Sequence, residues 1–371
     1  MSSSGRELGP ITLSAMGSFF FGGRVVREQN GETVHGDHGY AQYYVPANSR
    51  SLPLIMWHGL GQSGKTWEST PDGRPGFWQL FTSHDWPVYI IDQPRRGRAG
   101  RGCPERAEDV WPAVPPTELE SVAWGTFRLG TWTPPQEPTF FAGLSFPTDQ
   151  CSIEQFFRQQ TPNTGSEPFP DAGHREALGG TVAELARMVG PSILMTHSHS
   201  GQYGWVSAMR APEVIRSVIA IEPGEFCYPS DAPPEDVPTS NELLRQFMEP
   251  QLVSPEDFDQ LTRIPILILM GDNISRVPVP NEFGVELWRM VSERAKQMVE
   301  IINRRGGNAT YIELPMVGLR GNTHFPMSDL NNVEVVDYLE SWMSKNGLDD
   351  RESPHKGPQL AHPTEAPLSV K

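Results

Sequence analysis

The stretch Ile193-Leu194-Met195-Thr196-His197-Ser198-His199-Ser200-Gly201 decides the fold. It opens on a short, continuous apolar run, the pattern of a strand buried on both faces. From Gly201 to Met209 the apolar positions recur at helical spacing, so a strand gives way to a helix around Ser198. A strand-to-helix turn this sharp tolerates only small neighbours and pushes its central side chain to the top of the sheet. Thr196, Ser200 and Gly201 are small, although Thr196 and Ser200 stand where glycines are usual. Ser200 competes for the exposed position, but Ser198 has the right spacing from the small residues. Backbone N–H groups at the start of the following helix, and the positive end of its dipole, would face an anion forming at Ser198.

Similar apolar runs recur on both sides. Leu54–Trp57 ends in His58-Gly59, Val88–Ile91 in Asp92, Ser217–Ile221 in Glu222-Pro223-Gly224, and Ile266–Met270 in Gly271-Asp272; Thr310–Leu314 is the last. Helical spacing is found over Gly180–Val189, Glu282–Asn303 and Asn332–Lys345. Alternating strands and helices predict an α/β, doubly wound, mostly parallel sheet. SFFFGGRVV (residues 18–26) and YAQYYVP (residues 40–46) predict an antiparallel hairpin at its edge. Two stretches break the rhythm. Residues 107–172 contain ten prolines and three tryptophans, and residues 224–262 are rich in proline and acid. Both leave from the C-terminal ends of strands, where open α/β sheets bind ligands, and are expected to form a cap over a pocket. The expected division is a catalytic domain over 17–106 and 173–346, cap insertions over 107–172 and 224–262, and a disordered tail over 347–371.

Composition narrows the class. The 371 residues are 37% hydrophobic and 20% charged, with 36 prolines and 35 glycines, as in a globular chain with long ordered loops. A net charge of −15 argues against nucleic acid as a partner. No run approaches the roughly 20 apolar residues of a membrane span, and the N-terminus does not read as a signal peptide, so a cytoplasmic location is expected. Cys103, Cys151 and Cys227 fit no metal motif and are read as free thiols. The sequons at Asn273 and Asn308 carry little weight without a secretory signal.

A serine hydroxyl is a weak nucleophile and needs a base. His324, in Gly-Asn-Thr-His-Phe, lies between the last strand and the last helix, and is the candidate. His197 and His199 flank the elbow and are expected to point away from Ser198. Two carboxylates at strand ends, Glu222 and Asp272, could orient His324; spacing alone does not choose between them. Two N–H donors would hold an oxyanion, one from His199 and one from the loop after the first parallel strand, with Leu60 the best candidate. His58, Gly59 and Gln62 of that loop are candidate substrate contacts. So are Arg95 and Arg96, in a segment (93–106) with five arginines and one acid. These arginines would hold a substrate carboxylate, or pair with the ten acids of residues 222–260 and fix the cap.

Together these residues resemble the α/β-hydrolase superfamily, and more narrowly a small group of hydrolases typified by a bacterial carboxylesterase. The resemblance spans roughly residues 17–342 and is carried by GSFFFGGR, TWESTPDGR (Thr66–Arg74), YIIDQPRRGR (Tyr89–Arg98), SHSG (Ser198–Gly201), IEPGE and GNTHFPMSD. It implies that the acid is the first glutamate of EPGE, Glu222 rather than Asp272. It also implies a cap of modest size and esterase activity. Leu60-Gly61 replaces the adjacent cysteines of the bacterial esterase, so no local disulfide is expected there. The implied reaction is cleavage of an ester or lactone of a small, partly apolar molecule through an acyl-enzyme on Ser198, without metal or cofactor. The alternative is a non-hydrolytic enzyme of the same fold, running cyclisation, condensation, isomerisation or C–C cleavage; a catalytically dead binding protein is a third reading. The expected partner is a small-molecule substrate, with neither nucleic acid nor membrane, and a homodimer is a candidate assembly.

Overall fold

The computed structural model describes residues 8–27, 33–100, 119–161, 171–359 and 369–370. The chain begins with a long antiparallel hairpin, β1 (Leu13–Arg27) and β2 (Thr33–Pro46), followed by β3 (Leu54–Trp57), α1 (Phe77–Ser83) and β4 (Val88–Asp92). The first insertion contains α2 (Glu120–Thr126), a short ribbon of β5 (Gly130–Thr131) and β6 (Thr139–Phe140), and α3 (Gln150–Arg158). The central unit is α4 (Ala172–Val189), β7 (Ser192–His197), α5 (Ser200–Arg210) and β8 (Ile215–Ile221). The second insertion holds β9 (Cys227–Pro229), α6 (Glu242–Phe247), β10 (Gln251–Val253) and α7 (Pro255–Leu261). The chain closes with β11 (Pro265–Met270), α8 (Phe283–Arg304), β12 (Asn308–Glu313), α9 (Asn332–Lys345) and the two-residue β13 (Ser369–Val370).

The main sheet has the order β12-β11-β8-β7-β3-β4-β2-β1, with β13 appended beside β1. Pairing is parallel from β12 to β4, and antiparallel where β2 meets β4 and β1 meets β2. The apolar runs of the central strands reflect burial on both faces. Ile55, Trp57, Leu194, Val218, Ile266 and Ile268 pack against α4, α5, α7 and α8, while Met56, Ile90, Met195, Ile219, Leu267 and Leu269 pack against α1 and α9. Burying each such side chain is worth about 1.5–3 kcal/mol. Strand β3 runs between β7 and β4, so the chain leaves it towards one side and returns on the other. At such a switch point the loops after neighbouring strands diverge and open a crevice. Here the loop after β3 and the elbow after β7 share it.

Three expectations change. First, α4 begins eight residues before the predicted start at Gly180, because Asp171 caps it: its carboxylate accepts a hydrogen bond from the His174 N–H. Second, the insertions, which show no period in the sequence, contain short helices and strands and contribute to the core. Trp124, Leu129, Phe146 and Phe156 of the first are buried with Phe325, and Tyr228, Phe258 and Leu261 of the second lie in the core beside α5 and α8. Third, the first part of the expected disordered tail is packed down. The N–H of Ser51 donates to the carbonyl of Asp350, that of His355 to Arg50, and that of Gln359 to Met188. The His355 ring reaches the hydroxyl of buried Tyr89 at 2.7 Å. A chain lacking apolar periodicity can still be anchored by its backbone polar groups. Cys227 is a buried free thiol and Cys151 an exposed one; Cys103 lies outside the described residues. Among the described residues no helix is long and apolar enough to cross a membrane.

Candidate active site

Ser198 sits between β7 and α5 with φ = 55°, a left-handed conformation that L-residues adopt only where the surroundings impose it. Those surroundings are tight. A Cβ on Gly201 would lie 2.7 Å from the Pro223 Cβ, and one on Gly59 would lie 3.0 Å from the Ser198 Cβ. The loop after β3 therefore passes directly against the elbow, and only glycine fits at 59. Ser200 is buried and fully engaged: its hydroxyl accepts from the His197 N–H and donates to the carbonyls of Trp57 or His197. It ties the elbow to β3, while Ser198 stays half-buried at the turn.

His324 lies in the loop between β12 and α9, and its ring is almost completely buried. Nδ1 is 3.1 Å from Glu222 Oε2. An ionised carboxylate only accepts, so Nδ1 carries the proton and Nε2 is left as the basic nitrogen. The ring lies among those of Phe127, His197, Trp288 and Phe325, with centroids 4.3–5.8 Å away. Burial lowers the imidazole pKa, the Glu222 contact raises it, and the charge of Arg128 lowers it; the net direction is down. The His324 backbone is fixed as well. Its N–H donates to the Phe127 carbonyl, and its carbonyl accepts from His197 Nε2 at 2.7 Å. That bond makes Nε2 the protonated nitrogen of His197, a buried ring that burial keeps neutral. Just beyond His324, the Asp329 carboxylate accepts from the Thr323 N–H, the Thr323 hydroxyl and the Asn322 amide, so the loop is braced from both sides.

Glu222, at the end of β8, also has a left-handed backbone, with φ = 52°. Its side chain is wholly buried. Besides His324, it accepts from Arg128 Nη1 at 2.9 Å, Arg128 Nη2 at 2.5 Å and the Gly271 N–H. Burial alone would raise its pKa, but Arg128 and His324 overcome that and hold the carboxyl at about 2. Asp272 does not reach His324. Its carboxylate accepts from the N–H groups of Gly321 and Asn273, and its carbonyl accepts from Arg128 Nε. It braces the histidine loop from below.

The remaining candidates divide. His58 is buried with both ring nitrogens on backbone groups: Nε2 accepts from the Gln93 N–H, and Nδ1 faces the Gly59 carbonyl. It shapes the loop. The Leu60 side chain is exposed, whereas Gln62 is buried with neither amide atom hydrogen-bonded among the described residues. Of the arginine cluster, Arg101 and Arg106 lie outside the described residues, and the other three have partners close at hand. Arg95 meets Asp37 on β2, Arg98 meets Asp92, and Arg96 donates to the Thr161 carbonyl. The acids of the second insertion have partners nearer at hand, Asp257 with Arg210 and Asp259 with Arg305. Sequence reasoning missed Arg128 altogether. Its one signal is a lone charge between Phe127 and Leu129, within an aromatic stretch that shows no period.

No family model matches the chain. A fungal protein named "Probable secreted lipase phiG" (Fungal sp.) is 24% identical over 352 residues, spanning 82% of this chain and 85% of its own. A structure described as "The Atomic Resolution Structure of a Novel Bacterial Esterase" is 29% identical, covers 91% of this chain and 98% of its own, and superposes with a TM-score of 0.71. The sheet order, the elbow after β7 and these likenesses establish that the chain has the α/β-hydrolase fold.

Proposed function

We propose that this protein is a carboxylic ester hydrolase that works through an acyl-enzyme on Ser198. The observation that carries the reading is a buried His324, held in one tautomer by Glu222, with its ring 4.7 Å from that of His197, the residue before a serine forced into a left-handed turn. His324 Nε2 takes the hydroxyl proton as Ser198 attacks the ester carbonyl. Glu222 keeps Nδ1 protonated and stabilises the imidazolium. The N–H groups of Leu60 and His199 receive the oxyanion, the first from the loop held against the elbow by Gly59, the second from the start of α5. The imidazolium protonates the departing alcohol, and water then cleaves the acyl-enzyme by the reverse sequence. Gln62, with its unsatisfied amide, is the candidate for contact with substrate, and the insertions 107–172 and 224–262 are the candidate cap. The names of the two relatives, a lipase and an esterase, support ester hydrolysis; the substrate proposed is a small, partly apolar ester or lactone.

The test is turnover of p-nitrophenyl butyrate together with labelling by a fluorophosphonate. The wild type should do both and Ser198→Ala neither. Labelling without turnover of any ester would favour the non-hydrolytic alternative, and full activity in Ser198→Ala would remove Ser198 as nucleophile.

A further inference from the structure

The acid beside His324 is shared. Arg128 approaches Glu222 with a two-pronged fork, and its side chain is only 2% exposed, with the guanidinium over the face of Trp288 at 5.0 Å. The same indole lies 4.3 Å from the His324 ring, so cation, carboxylate and imidazole form one buried array. We propose that Arg128 is a positioning residue that neutralises the carboxylate against which His324 is held, and thereby extends the reaction into acidic solution. This rests on the reading of Ser198, His324 and Glu222 given above.

Charge balance around the imidazole is the cause. With a lone buried carboxylate, protonating the histidine cancels a negative charge and is favoured. With Arg128 present, the resting array of Arg⁺, Glu⁻ and neutral His is already balanced, and a proton on His324 leaves an unmatched positive charge where water is excluded. During attack the balance differs, because the oxyanion forms together with the imidazolium. Arg128 therefore opposes protonation of the free enzyme more than it opposes the proton transfer of the reaction.

The other groups around His324 do not undo this. His197, from the end of β7, is neutral and donates to the His324 carbonyl. Asp272, from the end of β11, spends its carboxylate on backbone N–H groups, and Asp329, before α9, is satisfied by Thr323 and Asn322. His58, after β3, is held on the backbone, and Tyr311 of β12 donates its hydroxyl to Glu313. Among the described residues only Arg128 places a positive charge on the Glu222 carboxylate besides whatever His324 itself carries.

The experiment is the pH dependence of fluorophosphonate labelling at Ser198 for wild type, Arg128→Met and Arg128→Lys, each checked for folding by thermal melting. Such a rate reports the free enzyme's histidine. The wild-type acid limb should lie below the ordinary histidine value of about 6.5. Arg128→Met should move it up by about one pH unit or more, whichever member of the coupled pair takes the proton. Arg128→Lys keeps the charge and loses the fork, so it should keep the limb near the wild-type position while lowering the plateau. Should Arg128→Met fail to fold, the wild type and Arg128→Lys decide. A wild-type limb at or above pH 7 overturns the inference while leaving the nucleophile in place. So does a plateau that falls in Arg128→Met without movement of the limb, the mark of a merely structural residue. Absence of labelling at every pH overturns the reading of Ser198, and the inference with it.

Discussion

Replacing Glu222 by Gln removes one charge with almost no change in shape, and its consequences can be worked through donor by donor. The carboxylate receives four donors: two from Arg128, one from the Gly271 N–H and one from His324 Nδ1. An amide offers one acceptor oxygen. If that oxygen stays at the Arg128–Gly271 side, the NH₂ group faces His324 Nδ1 and forces that nitrogen to accept. The ring proton then moves to Nε2, and the base is lost. The corresponding change in a serine protease triad lowers kcat by about 10⁴-fold, and a loss of that order is expected here. Arg128 is simultaneously left buried without its counter-charge, which costs about 3–5 kcal/mol of stability. Asp272→Asn is the matched comparison. It weakens acceptance from two N–H groups and touches neither His324 nor the Arg128 fork except through the backbone, so a fall of less than about tenfold and a cost of about 1 kcal/mol are expected. Steady-state hydrolysis of p-nitrophenyl butyrate and urea unfolding measure the two quantities. If Asp272→Asn proves the more damaging of the pair, or if Glu222→Gln keeps more than a tenth of the activity, the assignment of the acid is wrong.

Three further outcomes are expected. Gly59→Ala would place a methyl group 2.9 Å from His197 Nδ1 and 3.0 Å from the Ser198 Cβ, so it should depress kcat/KM by more than tenfold with modest effect on melting; unchanged kinetics would mean that the loop is not held against the elbow. His197→Phe removes the donor to the buried His324 carbonyl and should cost about 1–3 kcal/mol in urea unfolding, together with activity. His355, which burial holds at a pKa of about 4, is depressed relative to the unfolded chain. Its contribution is therefore complete above roughly pH 6.5 and is lost as pH falls through 4, so His355→Ala should flatten the stability–pH curve in that window. Parallel curves for wild type and variant would show that the tail anchor does not titrate.

Much of this architecture could be read from the chain because the parallel strands are buried on both faces and so appear as unbroken apolar runs. The chemistry attached to their ends, Ser198 after β7 and Glu222 after β8, is legible for the same reason: strand ends are short-range features. His324 could be placed by its position before the last helix. What spacing could not settle was Glu222 against Asp272, since both end a strand; the choice depends on which carboxylate the Arg128 fork and His324 share. Arg128 itself comes from an aromatic, proline-rich stretch without periodicity, and its partner is 94 positions away. For the arginines of 93–106 net charge suggested a pairing with 222–260, but net charge carries no geometry, and local contacts give Arg95 to Asp37 and Arg98 to Asp92. The tail was misjudged because it is held by backbone and side-chain hydrogen bonds, which leave no apolar signature.

A covalent bond to Ser198 is the central requirement of the proposed mechanism. Rapid acid quenching of the enzyme during turnover of p-nitrophenyl butyrate, followed by mass analysis of the peptide that contains the elbow, tests it directly. The predicted result is a butyryl adduct on Ser198 in the wild type and none in Ser198→Ala. An adduct on Ser200 or elsewhere, or turnover with no acyl-enzyme at any quench time, would contradict the mechanism.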